Sequence, residues 1–427
     1  MNNLVFNNNP NTLRTLLYGE NNGSPIALIS DNDGILYVKS INSNDELQSL
    51  PLTAFKELRV AMLTPVAGWT FNYNINPSLV KQSTNGTGTV TQSNSKAVLQ
   101  TNSTANSSAT IESNEVLRYI PGMGVLVRFT AIFTSGVSGS TQIIGIGDAN
   151  DGFFFGYNGS SFGILRRRQG SADTWIPQQS WNKDTVDGNG LSGFNLDPTK
   201  GNIYSIRYQW LGFGAIEFNV ENPATGEAIL VNRITYANSS TDPSIYNPTL
   251  PIFAKVQNTT NTSNITLQTP CAMGFIEGHP TFATDLRYSV SGSKTALSSE
   301  SALVTIRNKA TFASKTNRVR AKIDFLSASV EGSKTAQFRL IKNATLTGAS
   351  YNDISASSSV VEYDTIGTYT TNSGTVLLSF QCAKTDSMQL FLDSLNIILA
   401  PSDTITITAY SSATTDSGAS ISWKEMF

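Results

Sequence analysis

The apolar positions of this chain come in short β-branched or aromatic runs, each closed by Gly, Asn, Ser or Thr. Residues 151–168 (DGFFFGYNGSSFGILRRR) show the pattern most clearly. Two apolar-aromatic runs, 153–157 and 162–166, flank Asn158-Gly159-Ser160-Ser161. Asn and Gly reach positive φ at little steric cost, so the segment predicts a β-hairpin. The same alternation recurs almost throughout and predicts an all-β fold: a small N-terminal β meander followed by two β-sandwich or jelly-roll domains.

Residues 1–63 read as the small module. Runs at 13–18 and 25–29 flank a Gly/Asn turn at 19–23, and Asp31-Asn32-Asp33-Gly34 leads into 35–38. Three such strands are too few for secure stability alone, so the module is expected to dock on a neighbour or on another copy. Asp31-x-Asp33-Gly34 has the start of a calcium loop. Apolar strand residues follow where further oxygen ligands belong, which favours a hairpin turn. Residues 47–63 are the best helical or connecting candidate. The central sandwich spans 64–284, with strands expected at 125–133, 142–146, 203–210, 215–220 and 229–234. Its Ser/Thr/Asn-rich stretch 81–113 reads as loop around 84–89, with room for exposed edge strands at 98–101 and 109–111. The C-terminal sandwich spans 285–427, with strands at 302–306, 318–325, 336–341, 376–380, 389–392 and 404–410.

Composition narrows the function classes. Charged residues make up 14% of the chain and the net charge is -2, against about 25% charged residues in average proteins. That balance gives no general attraction to nucleic acid or to an anionic membrane, and no apolar run reaches membrane-spanning length. The densest basic run, Arg166-Arg167-Arg168, is expected at a solvated strand end, with a phosphate or sulfated-glycan contact as the alternative. Cys271 and Cys382 sit in apolar or small-residue contexts and are expected to be buried free thiols. This suits assembly in a reducing cytosol. The first residues lack the basic and apolar regions of a signal peptide.

Chemistry-bearing clusters are sparse. His279 is the sole histidine, so a catalytic triad or a zinc site has little to draw on, and no cofactor or metal is expected. Glycoside hydrolysis needs only two carboxylates, for which Asp148, Asp151, Asp173 and Glu217 are the candidates. Asp148 and Asp151 sit in a Gly-rich turn, where Asp is favoured for backbone reasons. The glycan-binding candidates are Trp175, Trp181, Tyr157 and Arg167. Trp175 and Trp181 lie in a polar stretch and are expected to be exposed. Core packing accounts for most of the other aromatic residues equally well.

Several central motifs resemble virion proteins of tailed phages. They are Arg118-Tyr119-Ile120-Pro121-Gly122, Gly145-Ile146-Gly147-Asp148, residues 151–159 and Asn222-Pro223-Ala224-Thr225-Gly226. Near the C-terminus, Ser358-Ser359-Val360-Val361-Glu362-Tyr363-Asp364 and Ser422-Trp423-Lys424-Glu425 do the same. The N-terminal module is similar to β modules of firmicute spore-surface and appendage proteins. The phage resemblance implies concanavalin-like or jelly-roll sandwiches and carries no catalytic residues.

The expectation is therefore a non-enzymatic tail, baseplate, fibre or capsid-surface component, assembled in the host cytoplasm into the virion. Its partners would be copies of itself, with a trimer favoured, other virion proteins and a host-surface glycan. The N-terminal module would provide attachment to the particle. The alternatives are a glycan-binding protein or polysaccharide depolymerase, and a bacterial spore- or cell-surface subunit.

Overall fold

The computed structural model describes residues 62–170, 173–278 and 286–427, with short strands at Tyr18–Asn21, Ser24–Ala27, Ser40–Ile41 and Leu47–Gln48. The chain divides into two compact units, Met1–Val60 and Ala61–Phe427. In the first unit, Tyr18–Asn21 pairs antiparallel with Ser24–Ala27. The expected calcium-like turn at 31–34, nearly all of the helical candidate 47–63, and His279 lie outside the described residues. The described chain is all-β, with no α-helix and two single-turn 3-10 segments.

Within the second unit, two sandwiches follow one another along the chain, each around its own apolar core. The first pairs a seven-stranded sheet with a nine-stranded one. The predicted hairpin is at its centre: Gly152–Asn158 pairs with Ser161–Arg167 in register from Gly152↔Arg167 to Asn158↔Ser161. Gly159, at φ 59°, fills the first of the two loop positions. Phe153 and Phe155 point inward, where Phe155 meets Tyr204 and Phe218 of the facing sheet at centroid distances of 4.9 and 5.4 Å. Burying each such ring contributes about 2 kcal/mol or more.

In the polar stretch 81–113 the loop expected at 84–89 narrows to a turn at 86–88. The strands expected as exposed edges at 98–101 and 109–111 belong to interior strands, Lys96–Gln100 and Ser108–Leu117. Val80–Asn85 is the polar edge strand of the seven-stranded sheet, its five residues after Val80 all exposed. Backbone ladder bonds to Ser108–Leu117 hold it in place of apolar burial. Ser108–Leu117 is in turn an interior strand, flanked on its other side by Leu250–Asn258, and Ala109 and Ile111 are fully buried. Cys382 is buried, whereas Cys271 is exposed. Cys271 begins its strand on the outward parity, and Ala272 takes the inward place.

The C-terminal sandwich packs a five-stranded sheet on a six-stranded one. Two of its three twelve-residue strands, Leu286–Leu297 and Thr415–Met426, pair antiparallel and alternate small hydroxyl residues outward with Tyr288, Val290, Ile421 and Trp423 inward. Glu425 is wholly buried. It accepts hydrogen bonds from the Ser359 hydroxyl (2.6 Å), the Val360 N–H (2.9 Å) and the Trp423 indole N–H (3.0 Å). Two sequence motifs far apart in the chain are thus joined at one carboxylate. The sandwiches touch through Arg318, which donates to the Asp148 carboxylate and to the Thr249 carbonyl (3.1 Å), and through Arg320 with Glu115 (3.2 Å).

Replacing Glu425 leaves the buried Val360 N–H and Trp423 indole N–H without an acceptor, while the Ser359 hydroxyl keeps the Val361 carbonyl at 3.2 Å. Glu425→Ala is therefore expected to lower unfolding stability by about 3 kcal/mol or more in urea titration. A change within about 0.5 kcal/mol, as for an ordinary surface site, would contradict this role.

Candidate functional site

The seven-stranded sheet runs in the order Thr174–Pro177, Ser161–Arg167, Gly152–Asn158, Ser140–Gly147, Leu250–Asn258, Ser108–Leu117 and Val80–Asn85. Its inner face joins the core, so residues of opposite parity form an outer face. The ladder registers place Trp175, Leu165, Phe154, Gly145, Phe253, Glu112 and Lys81 in one row across all seven strands. Ile143, Phe154, Leu165 and Phe253 cluster on this outer face, with Trp175 packed against them. Phe154 and Phe253 meet edge to face at 5.8 Å. Gly147 and Gly152 stand opposite each other beneath this cluster, and a Cβ on either would strike the tip of the Phe154 ring.

Cations cover the apolar floor. The Arg167 guanidinium lies 5.6 Å from the Phe154 ring centre, bonds Asp173 at 3.2 Å and donates to the Asp148 carbonyl at 3.1 Å. Lys255 stands between Ile143 and Thr110 in the next row. Burial, with the nearby Arg167 charge, pushes its pKa below the usual lysine range. Among the described residues Lys255 has no hydrogen-bond or ion-pair partner.

Of the expected glycan contacts, Trp175 and Arg167 are thus brought together at this face. Trp181 is corrected: it is 5% exposed, packed against Phe155 and Phe162 in the core, and its indole N–H donates to the Ile176 carbonyl. Tyr157 is likewise a core ring, against Phe133 and Phe162. The basic run is not a freely solvated strand end. Arg166 points inward, donating to the Thr174 hydroxyl (2.6 Å) and the Ser244 carbonyl (3.2 Å), and Arg168 lies over the Tyr246 ring. Lys255 and Phe253 escaped sequence reasoning, because only strand pairing sets them beside Ile143 and Gly145, more than a hundred positions earlier.

The candidate acids have structural duties. Asp148 accepts the N–H groups of Asn150 and Asp151 on one oxygen and Arg318 on the other. Asp151, 4% exposed, accepts the N–H groups of Gln169 and Tyr246. Asp173 pairs with Arg167. Burial works against the Glu217 carboxylate, but hydrogen bonds and charge from Arg207 and Arg233 outweigh it and hold its pKa below the usual value. The five strands from Thr174–Pro177 to Leu250–Asn258 contain no Asp or Glu. A facing carboxylate pair for glycoside hydrolysis is therefore not built on the centre of this face.

At the far side of the sheet, Glu112 lines a cleft of about 710 Å³ between the sandwiches, together with Lys81, Asp148, Arg318 and Arg320. Burial pushes its pKa up, opposed by Lys81 and reinforced by Asp148. Among the described residues, no group of three or more His, Cys, Asp or Glu is placed to hold a metal ion.

No family model matches the chain, and no curated protein matches it. Among solved structures, it is similar to a glycosyl hydrolase family protein from Mycobacterium fortuitum. That match has 9% identity, covers 49% of this chain and 99% of that one, and has a TM-score of 0.35. A beta-1,3-glucanase from Mycobacterium marinum aligns at 11% identity over 49% of this chain and 98% of its own, with a TM-score of 0.34. Peanut lectin aligns at 12% identity over 51% of this chain and 100% of its own, with a TM-score of 0.32. Likeness at this level carries no argument about function or residues.

A carboxyl group whose pKa is raised on folding favours the folded state most at low pH and loses that contribution as pH rises through the folded pKa. Glu112→Gln, which mimics the protonated group, is expected to raise the melting temperature by a few degrees at about pH 7. The gain should vanish at about pH 4, below the ordinary Glu value. Equal effects at both pH values would contradict the assignment.

Proposed function

We propose that the protein is a non-hydrolytic glycan-binding protein, and that the outer face of the seven-stranded sheet takes an acidic polysaccharide. The observation that carries this reading is Lys255: a partly buried ammonium without a partner, within the field of the Arg167 guanidinium across the Phe154 row, on a face whose central strands carry no carboxylate. An unpaired charge held partly out of water is costly, and an anionic ligand offsets that cost. Trp175 at the sheet edge supplies a ring for the apolar side of a sugar, and its indole N–H faces the Ser161 hydroxyl at 3.5 Å. Aromatic surface with a few placed polar groups is the usual make-up of a small-ligand site.

A second reading, a homo-oligomeric component of a tailed-phage particle, draws support from the strand Leu286–Leu297. Among the described residues, this strand closes one side of the five-stranded sheet and pairs with Thr415–Met426 alone. A twelve-residue edge offers a second copy or another particle protein a ladder to extend. The two readings are compatible, since host-surface glycan is one of the ligands a particle component can take.

Titration with uronate-containing and sulfated polysaccharides tests the first reading. Lys255→Ala and Trp175→Ala are each expected to weaken binding about tenfold or more, with Lys255→Ala also flattening the salt dependence. No new reducing ends should form. Binding indifferent to both substitutions, or release of reducing ends, would overturn it. For the second reading, the solution mass is expected to be that of a discrete oligomer. A monomer at all concentrations would count against it.

A further inference from the structure

The C-terminal sandwich carries a second concavity, unrelated to the face just described. It lies on the outer face of the five-stranded sheet and has a volume of about 620 Å³, within the roughly 300–1,000 Å³ of small-ligand sites. Its floor is one ladder row: Ser289 opposite Ser422, Ser422 opposite Phe325, and Phe325 opposite Phe391. Phe391 is 79% exposed and meets Phe325 edge to face at 5.4 Å. A ring left so open, on a regular strand and supported by a second ring, is a platform without an occupant.

Asp324 closes the site. The pairing of Arg320–Glu331 with Thr415–Met426 slips between Ile323 and Phe325, so Asp324 is the extra residue of a β-bulge. Bulges re-aim side chains and are enriched beside functional sites. Asp324 is 7% exposed, yet its Oδ1 has no hydrogen-bond partner. Its Oδ2 is 3.5 Å from Arg287 and 4.0 Å from Lys424, too long for good hydrogen bonds. A buried carboxylate oxygen without a donor is costly and rare.

We infer that this concavity is a saccharide site for a neutral pyranose-containing oligosaccharide. A sugar hydroxyl donates to the Asp324 carboxylate, which lines the concavity and has no good hydrogen bond from the protein. Arg287 and Lys424 donate to hydroxyl or ring oxygens, and the exposed face of Phe391 stacks on the apolar side of the pyranose. Neutrality follows from the balance of charge. Arg287 and Lys424 already face Asp324, and Lys424 and Lys322 face Asp393, and a sulfate or carboxylate would bring no donor to the Asp324 carboxylate while standing against its charge. The site does not rest on the acidic-glycan reading: it lies on another sandwich and answers to other residues.

The test is calorimetric titration of the full chain with neutral hexasaccharides of the β-glucan, mannan, galactan and chitin series, and with a sulfated hexasaccharide as control. At least one neutral hexasaccharide is expected to bind. Phe391→Ala should weaken it about tenfold or more, and Asp324→Asn should do likewise. Trp175→Ala and Lys255→Ala should leave it unchanged. Phe391 is so exposed that its truncation spares the fold, so this variant decides the matter even where Asp324→Asn folds poorly. The inference is overturned if no neutral hexasaccharide binds, if Phe391→Ala binds as well as the parent, or if the sulfated control alone depends on Phe391. Loss of acidic-polysaccharide binding through Lys255 would succeed or fail independently.

Discussion

Three consecutive phenylalanines, each with no exposed surface, set the constraint on which the first sandwich depends. Alternation sends Phe153 and Phe155 into the space between the sheets and Phe154 to the opposite face. The inner rings interlock with Tyr204, Phe218 and Tyr208 of the facing sheet. The outer ring needs cover of its own, which Leu165, Phe253 and the Arg167 guanidinium supply. One strand therefore fixes both the core and the floor of the candidate site. A register slip by one residue would exchange the two faces and lose both.

Charge is used sparingly, and where it is buried its partners tell structural groups from candidate functional ones. Glu425 is surrounded by three donors and ties the last strand to the segment around Ser359. Asp151 and Asp148 spend their oxygens on turn N–H groups, and Asp148 also receives Arg318 from the second sandwich. Lys255 and Asp324 differ from all of these. Each is removed from water without the hydrogen bonds that would compensate it. Each sits on the outer face of a sheet near an aromatic side chain, Phe253 for Lys255 and Phe325 for Asp324.

Hairpins closed by Asn and Gly were legible in the sequence, because a turn of that kind has a local cause. The segment Gly152–Arg167 shows it, and with it the all-β class. Strands whose outward positions carry Ser or Thr were not. Leu286–Leu297 and Thr415–Met426 are not among the expected strands, and pairing reveals that Tyr288, Val290, Ile421 and Trp423 share their inner face. Val80–Asn85 was hidden for the same reason. Of two tryptophans in one polar stretch, Trp175 reached the site and Trp181 entered the core, and nothing local distinguishes them. Lys255, Phe391 and Asp324 gain meaning only from their ladder partners and, for Asp324, from a bulge that no local signal marks.

The central claim is that the outer face around Phe154 is a ligand surface. Hydrogen–deuterium exchange of the full chain, with and without a saturating acidic polysaccharide, tests it most directly. Added protection is expected in the strands Ser140–Gly147, Gly152–Asn158, Ser161–Arg167 and Leu250–Asn258, with the nine-stranded sheet unchanged. Protection confined to other strands, or none at saturating polysaccharide, would contradict it.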